Sequence, residues 1–208
     1  MDIGQFRETP VFGILRGIGD NELFPVIDAC AGAGLKALEI TMNTPGAAGL
    51  IRRAAGYMRG RMAIGAGTVM DMASLKEALD AGALFIVSPV LVPDVVSYCC
   101  RERIPVFPGA FTPQEIYAAW RAGATMVKVF PSGIGGPAYF KEVKGPFNEV
   151  ELLACGGVTA ENVSEYFRCG ASAVSFGGSV FRKELLQDKD FAAIGRAVEA
   201  FVRCSRRP

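Results

Sequence analysis

Histidine is missing from all 208 residues of the chain. Its absence removes Ser-His-Asp and Cys-His nucleophilic catalysis, histidine-ligated metals and imidazole general bases in one step. Proton transfer is left to Lys, Glu, Asp, Tyr, Cys or bound water. An excess of charge is missing as well: 22 basic residues against 21 acidic ones leave +1, which gives no electrostatic case for nucleic acid or an anionic membrane as partner. Long apolar runs are also lacking, because Gly, Pro or a charge interrupts each one short of the roughly 18 residues that a membrane helix requires. Met1 to Pro10 carries Asp2, Arg7 and Glu8 and lacks the basic start and unbroken apolar run of a secretory signal, so a cytoplasmic location is expected. None of the six cysteines forms a C-x-x-C pair, and a chain this long does not need disulfide staples, so they read as reduced thiols.

What is present is an apolar, glycine-rich chain with a regular rhythm. Half the residues are apolar and 25 are glycine, and no polar linker divides the sequence, so residues 1–208 read as one domain. Short β-branched runs alternate with amphipathic stretches about 12 to 15 residues long, as expected for repeated βα units around a parallel sheet. Eight strands are expected: Val11 to Leu15, Ala37 to Thr41, Met62 to Gly65, Leu84 to Ser88, Pro105 to Pro108, Met126 to Phe130, Glu151 to Cys155 and Ala173 to Phe176. Asp20 is placed to cap the helix that follows the first strand. Thr112-Pro113-Gln114-Glu115 has the order of a capping box with Pro at the first helical position. Phe191, Ile194, Ala197, Val198, Phe201 and Val202 mark a final helix, and Arg203, Arg206 and Arg207 read as its solvated end. The recurring junctions Ala33-Gly34-Leu35, Ala81-Gly82-Ala83, Ala122-Gly123-Ala124 and Cys169-Gly170-Ala171 suit left-handed glycine caps before each next strand. The expected fold is an α/β protein, a (β/α)₈ TIM barrel. An open doubly wound sheet is the rival, which length does not exclude because 208 residues is at the small end for an eight-unit barrel, but there are eight strand candidates and no G-x-G-x-x-G follows the first.

In such a barrel the active site is built where the strands end at their C-termini. Two charged residues interrupt apolar strands there. In Met126-Val127-Lys128-Val129-Phe130, alternation sends Lys128 opposite to the two valines, and in Ala37-Leu38-Glu39-Ile40-Thr41 it sends Glu39 opposite to Leu38 and Ile40. Branched side chains suit the helix-facing side, so Lys128 and Glu39 are expected inside the barrel. Desolvation there disfavours an ammonium and makes a free amine available to attack a ketone. The alternative is an interior salt bridge with no further role, although a buried pair rarely repays its own desolvation. Gly156-Gly157-Val158 and Gly177-Gly178-Ser179 follow the seventh and eighth strands, where barrels often bind phosphate through backbone amides. Tight turns without a ligand are the competing reading.

Taken in order, Ile14-Leu15-Arg16, Leu38-Glu39-Ile40-Thr41, Gly65-Ala66-Gly67-Thr68-Val69, Phe85-Ile86-Val87-Ser88-Pro89, Lys128-Val129-Phe130-Pro131-Ser132-Gly133 and the two glycine segments form a highly specific series. The chain resembles the class I 2-keto-3-deoxy-6-phosphogluconate (KDPG) and 4-hydroxy-2-oxoglutarate (KHG) aldolases over nearly its whole length. The resemblance implies that Lys128 forms a Schiff base and that Glu39 moves protons through a water. It also implies that Thr68 and Arg16 hold the pyruvate carboxylate, that Phe130 and Pro89 line the pocket, and that Gly156, Gly157, Gly177, Gly178 and Ser179 hold phosphate. A small phosphorylated keto acid as substrate, no cofactor, no metal and a homotrimer follow from the same resemblance. Asn43 stands where many gluconate-type members carry arginine. Asn43-Thr44-Pro45 and Ile14-Leu15-Arg16-Gly17-Ile18 look closer to the 6-phosphogalactonate aldolases, which places Asn43 near the substrate and gives Arg16 the carboxylate. A phosphosugar isomerase or epimerase on the same barrel, or a barrel that only binds a phosphometabolite, would share the phosphate site but form no imine.

Overall fold

The computed structural model describes residues 1–205, so Arg206 and Arg207 of the solvated end lie outside the described residues. In chain order the elements are α1 (Ile3–Glu8), β1 (Val11–Leu15), α2 (Asp20–Gly32), β2 (Ala37–Thr41), α3 (Ala47–Tyr57), β3 (Ala63–Gly67), α4 (Met72–Asp80), β4 (Ile86–Val87) and α5 (Pro93–Arg101). They continue with β5 (Val106–Phe107), β6 (Gly109–Ala110), α6 (Pro113–Arg121), β7 (Val127–Val129), α7 (Ser132–Lys144), β8 (Leu152–Cys155), α8 (Val163–Arg168), β9 (Ala171–Phe176), α9 (Lys183–Gln187) and α10 (Phe191–Ser205). The strands hydrogen-bond in the order β5-β4-β3-β2-β1-β9-β8-β7-β6, and every recorded pairing is parallel.

The fifth strand runs further than the expected Pro105 to Pro108: β5 lies within that range and β6 beyond it, the two separated at Pro108, which has no amide to give to a ladder. β5 pairs with β4 and β6 with β7. Across the seam Thr125 N donates to Val106 O at 2.9 Å and Lys128 N to Pro108 O at 2.9 Å, so the ring of eight strands closes. The barrel, and not the open sheet, is the fold.

Strand alternation divides the apolar side chains into two sets. Leu38, Ile40, Ile64, Ile86, Val106, Val127, Val129, Leu152 and Val174 face outward and pack with the helices in the larger core. Phe12, Ala37, Phe85, Val87, Phe107, Met126, Leu153, Cys155 and Ala173 fill the inside. Phe12, Phe85 and Phe107 form a mutual aromatic cluster with centroids 5.6 to 5.9 Å apart. Gly65 makes the space for it, since a Cβ there would lie 2.4 Å from the Phe85 ring. α1, which no periodicity in Met1 to Pro10 announces, brings Phe6 to this cluster, 6.1 Å from Phe107 and 2% exposed. The interior is therefore solid at the N-terminal end, and a ligand can enter only where the strands end.

The helix signals sort by mechanism. Thr112 accepts from Glu115 N while Glu115 accepts from Thr112 N, the reciprocal box its sequence announces. Gly34, Gly82, Gly123 and Gly170 all take positive φ at the repeated junctions. Asp20 behaves differently from expectation: Gly19 is the cap, and Asp20 is the first helical residue, paired with Arg53 at 2.5 Å on the surface. No helix among the described residues is long and apolar enough to cross a membrane.

Candidate active site

At the C-terminal end of the barrel lies a cavity of about 680 Å³. Its wall includes Arg16, Glu39, Thr68, Pro89, Lys128 and Phe130, and on the opposite side Gly156, Gly157, Gly177, Gly178 and Ser179. Eleven of the twelve site residues singled out in the sequence thus meet at one place. The twelfth, Asn43, is exposed on the loop after β2 and is not part of the wall. That loop turns at Thr44, whose hydroxyl bonds Thr41 and receives Gly17 N, each at 3.0 Å. Cys155, a strand-end candidate in the sequence, also lines the cavity, as do Thr159, Ser175, Phe176 and Phe181, which the sequence did not single out as site residues. For Ser175 the signal was available in period two, because it follows Ala173 on the inward face.

The two charged strand residues are buried: Glu39 is 1% and Lys128 6% exposed. Among the described residues they form no ion pair within 4.0 Å, and Glu39 Oε2 has no hydrogen-bond partner at all. An interior salt bridge is therefore not what holds them there. They face one cavity at a distance. Burial pushes the Glu39 carboxyl above its ordinary range, and the charges of Lys128 and Arg16 only partly oppose that shift. Lys128 Nζ lies 5.2 Å from the Phe130 ring centroid, so the aromatic face lies beside the amine. Cys155 is the rival nucleophile in the cavity, but burial raises its thiol above the usual value and keeps it protonated.

Two backbone features build this arrangement. Gly67, in register with Thr41 on β3, lies where the Glu39 side chain reaches along the barrel and has no side chain to collide with it: a Cβ there would lie 1.5 Å from Glu39 Oε1. Gly67→Ala is expected to displace the carboxylate and cut activity at least about tenfold, since misplacing a catalytic group by about 1 Å is that costly. A thermal midpoint measured alongside separates displacement of Glu39 from unfolding. Thr68, next along the chain, holds φ at +57°, a conformation costing a β-branched residue about 1–3 kcal/mol and found mainly where function demands it. Its hydroxyl and amide have no hydrogen-bond partner among the described residues, which leaves both donors for a carboxylate.

The glycine side is a set of amides. Gly156 and Gly157 both take left-handed φ, +83° and +81°. Among the described residues the amides of Gly157, Gly178 and Ser179 have no hydrogen-bond partner, the arrangement that receives an anion. The Ser179 hydroxyl is already committed to Val158 O at 2.9 Å, so the donor it can offer an anion is its amide. No group of three or more Cys, Asp or Glu among the described residues is placed to hold a metal ion.

A barrel with an unpaired buried lysine and carboxylate at one end of its cavity, and an amide cradle at the other, is equipped for imine chemistry on a keto acid that carries a distant anion. The comparisons agree with that class. The family model described as KDPG and KHG aldolase matches residues 3–197, and the chain belongs to this family. The 2-dehydro-3-deoxy-phosphogluconate aldolase of Pseudomonas aeruginosa is 32% identical over 96% of this chain and 93% of its own length. The 2-dehydro-3-deoxy-6-phosphogalactonate aldolase of Escherichia coli is 32% identical over 84% of this chain and 86% of its own. Among solved structures, the KDPG aldolase of Legionella pneumophila, with pyruvate captured as a covalent carbinolamine intermediate, superposes with a TM-score of 0.86 at 25% identity, over 94% of this chain and 95% of the other.

Proposed function

We propose that the protein is a Schiff-base aldolase that cleaves 2-dehydro-3-deoxy-6-phosphogluconate to pyruvate and glyceraldehyde 3-phosphate. The observation that carries this reading is that Lys128 and Glu39 share one buried cavity with no bond between them. The amine of Lys128 attacks the C2 ketone, and the carbinolamine loses water to give a protonated imine. Glu39, acting through a water, takes the C4 hydroxyl proton; the C3–C4 electrons move into the imine, and the aldehyde leaves. The enamine is then protonated at C3, and hydrolysis frees pyruvate and the amine. Thr68 and Arg16 suit the carboxylate, Phe130 and Pro89 flank the reacting carbons, and the amides of the two glycine segments suit the phosphate. Binding energy from that remote phosphate orients the bond that breaks.

A second reading is favoured by Asn43. With no arginine on the β2 loop, Arg16 is, among the described residues, the one guanidinium on the cavity wall, which supports 2-dehydro-3-deoxy-6-phosphogalactonate as substrate. 4-Hydroxy-2-oxoglutarate, giving pyruvate and glyoxylate, is a further candidate. The expected assembly is a homotrimer, for which the exposed Met70, Val90 and Ile134 offer apolar surface. Cleavage rates on the two phosphorylated epimers and on 4-hydroxy-2-oxoglutarate rank the substrates. Incubation with pyruvate and borohydride is expected to add one reduced pyruvyl group at Lys128; an isomerase would show no such adduct.

A further inference from the structure

We propose that Ser132 is a positioning residue that anchors the amide cradle to the end of the imine lysine's strand, so that it preorganises the phosphate site without taking part in imine formation; this rests on the aldolase reading. Ser132 opens α7 and is 1% exposed. Its hydroxyl donates to Val129 O at 2.7 Å, one residue beyond Lys128. The same oxygen accepts from Cys155 N at 2.8 Å, one residue before Gly156. One hydroxyl thus bridges the C-terminal ends of β7 and β8.

The neighbouring contacts make the bridge directional. Gly133 N donates to Gly156 O at 2.8 Å. Asn162 Nδ2 donates to Gly157 O at 2.9 Å, and Ser179 Oγ to Val158 O at 2.9 Å. Three successive carbonyls are taken, while the Gly157 amide remains unpartnered on the cavity wall. The two turns also touch backbone to backbone, since a Cβ on Gly157 would lie 2.7 Å from Gly133 Cα. Side chains at either glycine would force them apart. The cradle is therefore ordered before ligand arrives, which spares the ordering cost on binding. Of these clamps, Ser132 is the one that also holds the Lys128 strand.

The test compares a phosphate-dependent with a phosphate-free reaction in the full-length enzyme. For Ser132→Ala, KM for the phosphorylated keto-deoxy acid is expected to rise about tenfold, the scale of leaving one buried amide unpaired. Trapping of pyruvate on Lys128 by borohydride uses no phosphate, and its rate should hold within about twofold of wild type if imine chemistry is intact. Ser132→Thr, which keeps the hydroxyl, should restore KM. Asn162→Ala releases Gly157 O from a half-buried surface site and should give the same split, which keeps the proposal testable if Ser132→Ala does not fold. Equal losses in both reactions, or an unchanged KM in these variants, would overturn it. Absence of pyruvate trapping in the wild type would instead refute the aldolase reading itself.

Discussion

Lys128→Met is expected to lower cleavage on the order of 10⁴-fold or more and to eliminate the pyruvate adduct, as removal of a covalent nucleophile does. The argument depends on the surroundings. Lys128 is 6% exposed, pointing inward between Val127 and Val129, with Phe130 beside its amine. Methionine keeps the length and the apolar stem, so packing is conserved, and removing an amine that makes no ion pair among the described residues leaves no opposite charge stranded in contact with it. The variant should fold with a thermal midpoint no lower than wild type and should still bind a phosphorylated acid in the cavity. An adduct appearing at the same mass in Lys128→Met would show that another amine forms the imine. Retained cleavage would mean that the phosphate site serves a different reaction.

How much of this was legible in the sequence depends on the range of the interaction that determines each feature. β1 and β2 begin and end at the residues expected, because short runs with period-two apolar residues, entered after Pro10 and Lys36, carry their own limits. The inward aim of Glu39 and Lys128 also follows from period two alone. The fifth strand was legible as far as Pro108 but not beyond it, because β6 resumes after the missing amide of Pro108 and is defined only by its pairing with β7 at the barrel seam. Phe6 was not legible: one aromatic in a polar decapeptide has no periodicity, and its role as the plug exists only once Phe12 and Phe107 are brought beside it. Gly67 sits within a recognisable motif, but nothing local says which side chain it makes room for. Ser132 was visible as a residue in the same way, while both of its partners lie on strand ends brought to it by closure of the barrel. Asn43 was placed near the substrate by analogy with an arginine. It lies on an exposed loop and is not among the residues that line the cavity.

Glu39→Gln is expected to separate catalysis from stability. Glutamine keeps the shape but cannot take a proton from the C4 hydroxyl, so cleavage should fall by roughly 10²–10⁴-fold, the usual contribution of a positioned general base. Stability should move the other way. Glu39 is buried with Oε2 unpartnered, and burial raises its carboxyl above the ordinary value of 4.5. Well below pH 4.5 the group is protonated in both the folded and the unfolded chain and contributes no slope. As the pH rises past that value the unfolded chain ionises first while the folded protein keeps its proton, so the folded state binds more protons and this contribution to stability declines. The decline continues until the pH passes the raised folded value, above which the full penalty of a buried charge is in place. Glu39→Gln removes that slope, and its thermal midpoint should exceed wild type at neutral pH, with the gap closing as the pH is lowered towards 4.5. The acid limb of wild-type kcat should likewise sit above the usual carboxylate range, because the base must be ionised to act. A midpoint difference between the two proteins that does not change with pH would show that Glu39 is not held as a costly buried carboxyl. The base would then have to be sought elsewhere on the cavity wall.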